Sequence, residues 1–225
     1  VNIKKKIIVA TASILLFNSS AYADRFYFKT SVSGNSFNQV KFADGEKAKA
    51  KIAPSIAIGF GHYILDNLRA DLTFEHYIDP TFKCSVKKHE VYGNQEVKLR
   101  PNLSTLMVNT NVDVIDFDSS KFFVGVGMGV ARHKTKYHVT GTSPGGKKID
   151  REISTKISTK ISHEFSYALN AGMSLFIIDG LNAELSYSWR DFGNTKPSKN
   201  EDNEDMTKKV PYRVHNLSLG FRIDI

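Results

Sequence analysis

Eight stretches of this chain alternate apolar and polar residues, and sustained alternation marks a β-strand with one apolar face. The third sets Leu68, Ala70, Leu72 and Phe74 against Arg69, Asp71, Thr73 and Glu75. The seventh sets Leu181, Ala183, Leu185, Tyr187 and Trp189 against Asn182, Glu184, Ser186, Ser188 and Arg190. The other six cover residues 25–33, 52–61, 105–114, 121–132, 165–175 and 216–225. None carries the period of an amphipathic helix.

The connections alternate in length. Short joins at "ILDN", "IDFDSS" and "IIDG" link segments two to three, four to five and six to seven. Long polar stretches link the rest. An even number of strands, with short turns at one end and long loops at the other, predicts an all-β fold: an eight-stranded antiparallel transmembrane β-barrel of the outer-membrane kind. Each segment is near the roughly 9–11 residues that a tilted strand needs to cross a bilayer. An open sheet edge cannot sit in lipid, so the sheet must close.

A soluble barrel would turn the apolar rows inward. The polar rows here are crowded with glycine, alanine and serine, which cover a water-facing surface poorly but save space in a narrow interior. Gly125, Gly127 and Gly129 in "FFVGVGMGVAR" are the extreme case. Their absent side chains leave room for long polar side chains from other strands. Arg69, Asp71, Glu75, Asp113, Glu184, Arg190 and Arg222 all fall on inward rows and can pair in the lumen. They are read as a structural plug in preference to an ion path. Aromatics near the strand ends suggest interfacial girdles: Tyr63, Phe117, Phe122 and Phe176 on the short-turn side, and Phe74, Tyr77, Trp189, Phe192 and Tyr212 on the long-loop side.

Residues 1–23 read as a secretory signal peptide. Lys4, Lys5 and Lys6 precede an apolar run from Ile7 to Phe17, and Ala21-Tyr22-Ala23 makes a small-x-small cleavage site. Residues 24–225 then form the barrel. One cysteine, Cys84, makes no internal disulfide.

The chain ends in "SLGFRIDI". Ser218 and Gly220 followed by Ile223 and Ile225 resemble the C-terminal signal of bacterial outer-membrane barrels, which the barrel-assembly machinery reads. Ile225 stands where those proteins usually carry phenylalanine. The leader, the glycine-rich "FFVGVGMGVAR" and the ending "HNLSLGFRIDI" together resemble eight-stranded surface barrels of the OmpX/Opa type, and more closely the rickettsial Adr-type surface adhesins. That resemblance implies adhesion to host cells and recruitment of a host serum protein, vitronectin in particular, through exposed loops.

The net charge is +8, and much of it sits in the long connections. Residues 35–51 hold Lys41, Lys47, Lys49 and Lys51. Residues 78–102 hold Lys83, Lys87, Lys88, Lys98 and Arg100. Residues 133–163 hold Lys134, Lys136, Lys147, Lys148, Arg151, Lys156 and Lys160. A basic rim attracts acidic partners and speeds encounter. The same lysines also serve as ordinary solubilising surface, or as contacts to the phosphates of the surrounding outer-membrane lipid. The repeat "ISTKISTKIS" predicts that the sixth strand continues past the rim as a hairpin turning near 143–146. The acidic run at 200–205 reads as a solvated loop tip. Nucleic acid is excluded as a partner by export and the lack of a recognition motif.

No nucleophile, base and orienting group converge, so no enzyme is expected. No metal ligand set and no cofactor are expected either. The functional expectation is a monomeric adhesin. The alternative is an envelope-integrity barrel or narrow pore with no host partner.

Overall fold

The computed structural model describes residues 25–38, 40–41, 47–50, 52–89, 93–142, 148–151, 162–194 and 211–225. The leader at 1–23, Lys147, Lys156, Lys160, the turn at 143–146, the acidic run at 200–205 and all but the last residue of "ISTKISTKIS" lie outside them.

The described elements are all strands: β1 (Phe26–Phe37), β2 (Val40–Lys41), β3 (Lys47–Ala50), β4 (Ala53–Leu65), β5 (Leu68–Tyr77), β6 (Phe82–His89), β7 (Gly93–Phe117), β8 (Ser120–Thr142), β9 (Lys148–Arg151), β10 (Ser162–Ile178), β11 (Leu181–Asn194) and β12 (Pro211–Asp224). Eight of them close a ring in the order β1-β4-β5-β7-β8-β10-β11-β12, with β12 returning to β1 and every pairing antiparallel. Closure gives every strand two partners and leaves no unpaired edge to meet hydrocarbon.

Two-residue turns at 66–67, 118–119 and 179–180 close one end. The last is Asp179-Gly180, and Gly180 has φ +74, a backbone state that glycine adopts without a steric penalty. At the other end β7 and β8 run on as a ribbon paired as far as Gln95↔Gly141. β6 pairs with β7, β3 with β6, β2 with β3, and β9 with β8, so a sheet rises from one side of the rim. Much of the connection at 78–102 is therefore strand, not loop.

Alternation sets the two faces. Outward residues such as Val32, Ile58, Leu169 and Leu219 are each more than half exposed, whereas the intervening Ser33, Ala57, Ala168 and Ser218 are buried. The apolar rows therefore point away from the barrel's own interior, the arrangement that lipid selects.

Inside, the glycines make room. A Cβ at Gly125 would strike the Asn111 amide, and one at Gly127 would strike that of Asn109. A Cβ at Gly61 would overlap the Tyr27 ring. The glycine stripe of β8 thus accommodates polar side chains of its neighbour β7.

Several of the aromatics assigned to girdles are placed otherwise. Phe117 and Phe122 do pair on the outer face near a turn, with centroids 6.1 Å apart. Tyr77 and Phe192 are wholly buried and pack edge to face, 5.6 Å apart, with Phe37 6.1 Å from Tyr77. They cap the lumen, because Tyr77 shares the inward parity of Glu75 and Phe192 that of Arg190. Tyr63 also turns inward: its ring lies 5.4 Å from that of Tyr27 and its hydroxyl donates to Asp224.

Candidate functional site: a charged lumen and a basic rim

The lumen is built in storeys. Nearest the short turns, Arg69 from β5 binds Asp113 of β7 at 2.5 Å and Glu184 of β11 at 3.2 Å. Arg222 of β12 reaches the same Glu184 oxygen at 2.6 Å and Asp224 at 3.1 Å. Ser174 adds a hydroxyl bond to Glu184 at 3.0 Å. The Arg69 guanidinium also stacks 4.5 Å over the Phe123 ring. Two arginines sharing one glutamate, each with a second carboxylate, leave few donors unused, as burial of charge requires.

In the middle storey Asp71 is the hub. It accepts from Lys29 Nζ at 2.7 Å, Thr73 Oγ1 at 2.7 Å, Asn109 Nδ2 at 2.8 Å and Tyr27 Oη at 3.1 Å. Toward the long loops, Arg190 pairs with Glu75 and donates to the Tyr77 hydroxyl at 2.8 Å. Glu75 also accepts from Ser55 at 2.6 Å and from Asn216 at 3.3 Å. Asn35 and Asn216 complete a polar ladder to Ser55. A void of ≈ 80 Å³ lies in this filled part. A wider recess of ≈ 460 Å³, lined in part by Arg222 and Asp224, lies at the short-turn end.

The seven charged residues read as inward from the sequence come together in these storeys. Lys29 and Asp224 join them, and Tyr27 and Asn109 supply neutral donors. Alternation already puts Lys29 and Asp224 on inward rows; what it does not give is which partners meet across the tube.

At the rim the basic residues are arranged by register. Lys49↔Lys83, Lys83↔Lys98 and Lys98↔His138 are directly opposed, a row across β3, β6, β7 and β8. Arg100↔Lys136 and Asn102↔Lys134 form the next rows toward the barrel. Thr142↔Lys148 puts Lys148 on the same face. Directly opposed residues share a face, and the face alternates with each residue. Lys83, Lys134, Lys136 and Lys148 thus belong to one face, and Arg151, opposite Val139, belongs to the other. Lys87 and Lys88 occupy successive positions at the bulged end of β6. Val97, Leu99, Pro101, Val139 and Cys84 fall on the face shared with Arg151. The C-terminal strand β12 seals the ring: Ser218 and Gly220 lie inward, Ile223 and Ile225 are exposed outward, and the Ile225 amide bonds to the Phe26 carbonyl at 2.7 Å.

A closed eight-stranded antiparallel ring, greasy outside and ionic within, with strands extending beyond one rim, defines the class: a small outer-membrane-type β-barrel. Outer membrane protein OprG of Pseudomonas aeruginosa shares this fold, with a TM-score of 0.51 at 13% identity over 90% of this chain and 96% of that one. No known family profile matches the sequence. Whole-chain relatives do. A protein named "Putative adhesin" from Rickettsia rickettsii (strain Sheila Smith) is 33% identical over 236 residues, covering 99% of each chain. One of the same name from Rickettsia conorii (strain Malish 7) is 34% identical over 227 residues, covering 92% of this chain and 85% of its own. The chain belongs to this rickettsial family.

Proposed function

We propose that the protein is a monomeric outer-membrane surface adhesin. In this reading the long-loop end faces away from the cell and its basic face engages an acidic region of a host cell-surface or serum protein, vitronectin or one like it. The observation that carries the reading is the register itself. Lys49, Lys83, Lys98 and His138 in one row, with Arg100, Lys134 and Lys136 below, gather positive charge on one face of a sheet instead of scattering it over loops. The names of the rickettsial relatives support the same reading. The lumen is then a plug that stiffens the display platform, and the protein acts without catalysis. The β12 segment that carries Ser218, Gly220, Ile223 and Ile225 serves the barrel-assembly machinery as its recognition strand.

The test uses the full chain refolded into lipid nanodiscs and immobilised vitronectin, with other serum and matrix proteins alongside. Binding that falls as salt rises, and falls again in Lys83→Gln/Lys98→Gln/Lys136→Gln, supports the proposal. Equal binding by the triple variant removes the basic face from it.

A further inference from the structure

One wall of the outer face changes character within a single step of the register. Phe74, Leu106, Val130 and Phe165 are directly opposed across β5, β7, β8 and β10, and all four are exposed. Two residues nearer the long loops, the same strands carry His76, Ser104, Arg132 and His163, again directly opposed. Neighbouring strands lie about 4.8 Å apart, so this polar row spans about 14 Å and stands about 7 Å above the apolar one. The row contains no carboxylate. His76 Nδ1 and Ser104 Oγ lie 2.9 Å apart, and Arg132 and His163 are exposed.

The adjoining outer face of β11 and β12 is built differently. There Arg213 is held by Asp191 at 3.0 Å, Tyr167 also donates to Asp191, and His215 is bonded to Tyr187 at 2.7 Å. These polar groups satisfy one another.

We infer that the row His76–Ser104–Arg132–His163 binds the phosphate of a lipid head group in the leaflet at the long-loop end. A guanidinium presents a planar fork of donors that matches phosphate oxygens two at a time. Imidazole N–H and serine hydroxyl groups add donors on either side. The exposed row of Phe74, Leu106, Val130 and Phe165 lies directly beneath, where acyl chains descend from such a head group. A free phosphate ion would use only the upper half of this surface; a phospholipid-like molecule uses both. The site lies on the barrel wall, so it requires neither a host partner nor the adhesive reading of the rim.

The full chain, folded in detergent, is mixed with diphosphoryl lipid A, with the same lipid after removal of its phosphates, and with inorganic phosphate, and retained ligand is counted by native mass spectrometry. The expected result is retention of the phosphorylated lipid at least about fivefold above its phosphate-free form, with inorganic phosphate unable to displace it. Arg132→Gln/His163→Gln should fall to the phosphate-free level, Arg132→Lys should recover part of the loss, and Arg213→Gln should behave as wild type. Folding of each variant is read from the heat-dependent shift of the barrel on gels. Equal retention with and without phosphate, or full retention by the folded double variant, overturns the inference; displacement by inorganic phosphate would overturn its lipid part.

Discussion

Arg190 and Glu75 pair across the lumen from β11 to β5, strands on opposite walls of the ring. Six residues toward the short turns on both strands the polarity reverses: Arg69 of β5 meets Glu184 of β11 at 3.2 Å. The two walls are thus tied twice, with the charges exchanged. That arrangement fixes how β5 and β11 stand relative to each other, because a slip of one strand would bring like charges together.

Breaking the upper tie should be costly. The Glu75 side chain is only 3% exposed and that of Arg190 15%. Glu75→Gln or Arg190→Met should each lower stability by about 3–5 kcal/mol, since either leaves a buried charge without its partner. Glu75→Leu/Arg190→Met should recover most of the loss. Urea titration of the folded barrel, followed by the fluorescence of the single tryptophan, Trp189, measures all of them. A single variant as stable as wild type would show that the pair contributes little.

The glycines separate into those that leave room and those that merely occupy a strand. A Cβ at Gly129 would collide with the Leu106 carbonyl of the adjacent strand, whereas one at Gly34 meets only Ile52 at an ordinary 3.7 Å. Gly129→Ala should destabilise the β7–β8 pairing by about 1–3 kcal/mol, the usual cost of overpacking. Gly34→Ala should be neutral or slightly stabilising. The comparison is read from the same titration, and equal behaviour of the two variants would contradict the space-saving account of the β8 stripe.

Alternation made the barrel legible because lipid and lumen impose opposite demands on successive residues. It also carried more than the sequence reading took from it. Val97, Leu99 and Leu103 alternate with Lys98, Arg100 and Asn102, a strand pattern that continues β7 beyond the membrane, but Pro101 within it argues against a paired strand. Here Pro101 sits opposite Thr135 in the ribbon nonetheless. The aromatic cap escapes a reading by position along the strand because nearness to a strand end says nothing about face: Tyr77 and Phe192 both lie inward by simple parity, Tyr77 with Glu75 and Phe192 with Arg190. The cross-lumen partners were illegible for a different reason. Which inward residues meet depends on how far the strands are staggered when the ring closes, and that is a property of the whole sheet.

The filled lumen predicts electrical silence. Bilayers containing the wild-type barrel should carry no steady current, because the void among the central side chains is only ≈ 80 Å³. Tyr77→Ala/Glu75→Ala/Arg190→Ala would widen the half toward the long loops and leave the storey around Asp71 intact. That triple variant should also stay closed. Steady conductance through it would mean that the bonds from Lys29, Thr73, Asn109 and Tyr27 to Asp71 are not the barrier.

The basic face makes a prediction about rates. Charges gathered on one sheet act on an approaching acidic partner before contact, so they raise the association rate more than they slow release. At physiological ionic strength that field extends about 8 Å, and it shrinks to about 3 Å at 1 M salt. Lys83→Gln/Lys98→Gln/Lys136→Gln should therefore lower the association rate with vitronectin roughly tenfold at low salt and leave dissociation nearly unchanged. In 1 M salt the variant and wild type should converge. Stopped-flow or surface-resonance kinetics at several salt concentrations would read this directly. If the triple variant instead released its partner faster at an unchanged association rate, the lysines would be acting as close contacts, and long-range attraction by the sheet would no longer explain the binding.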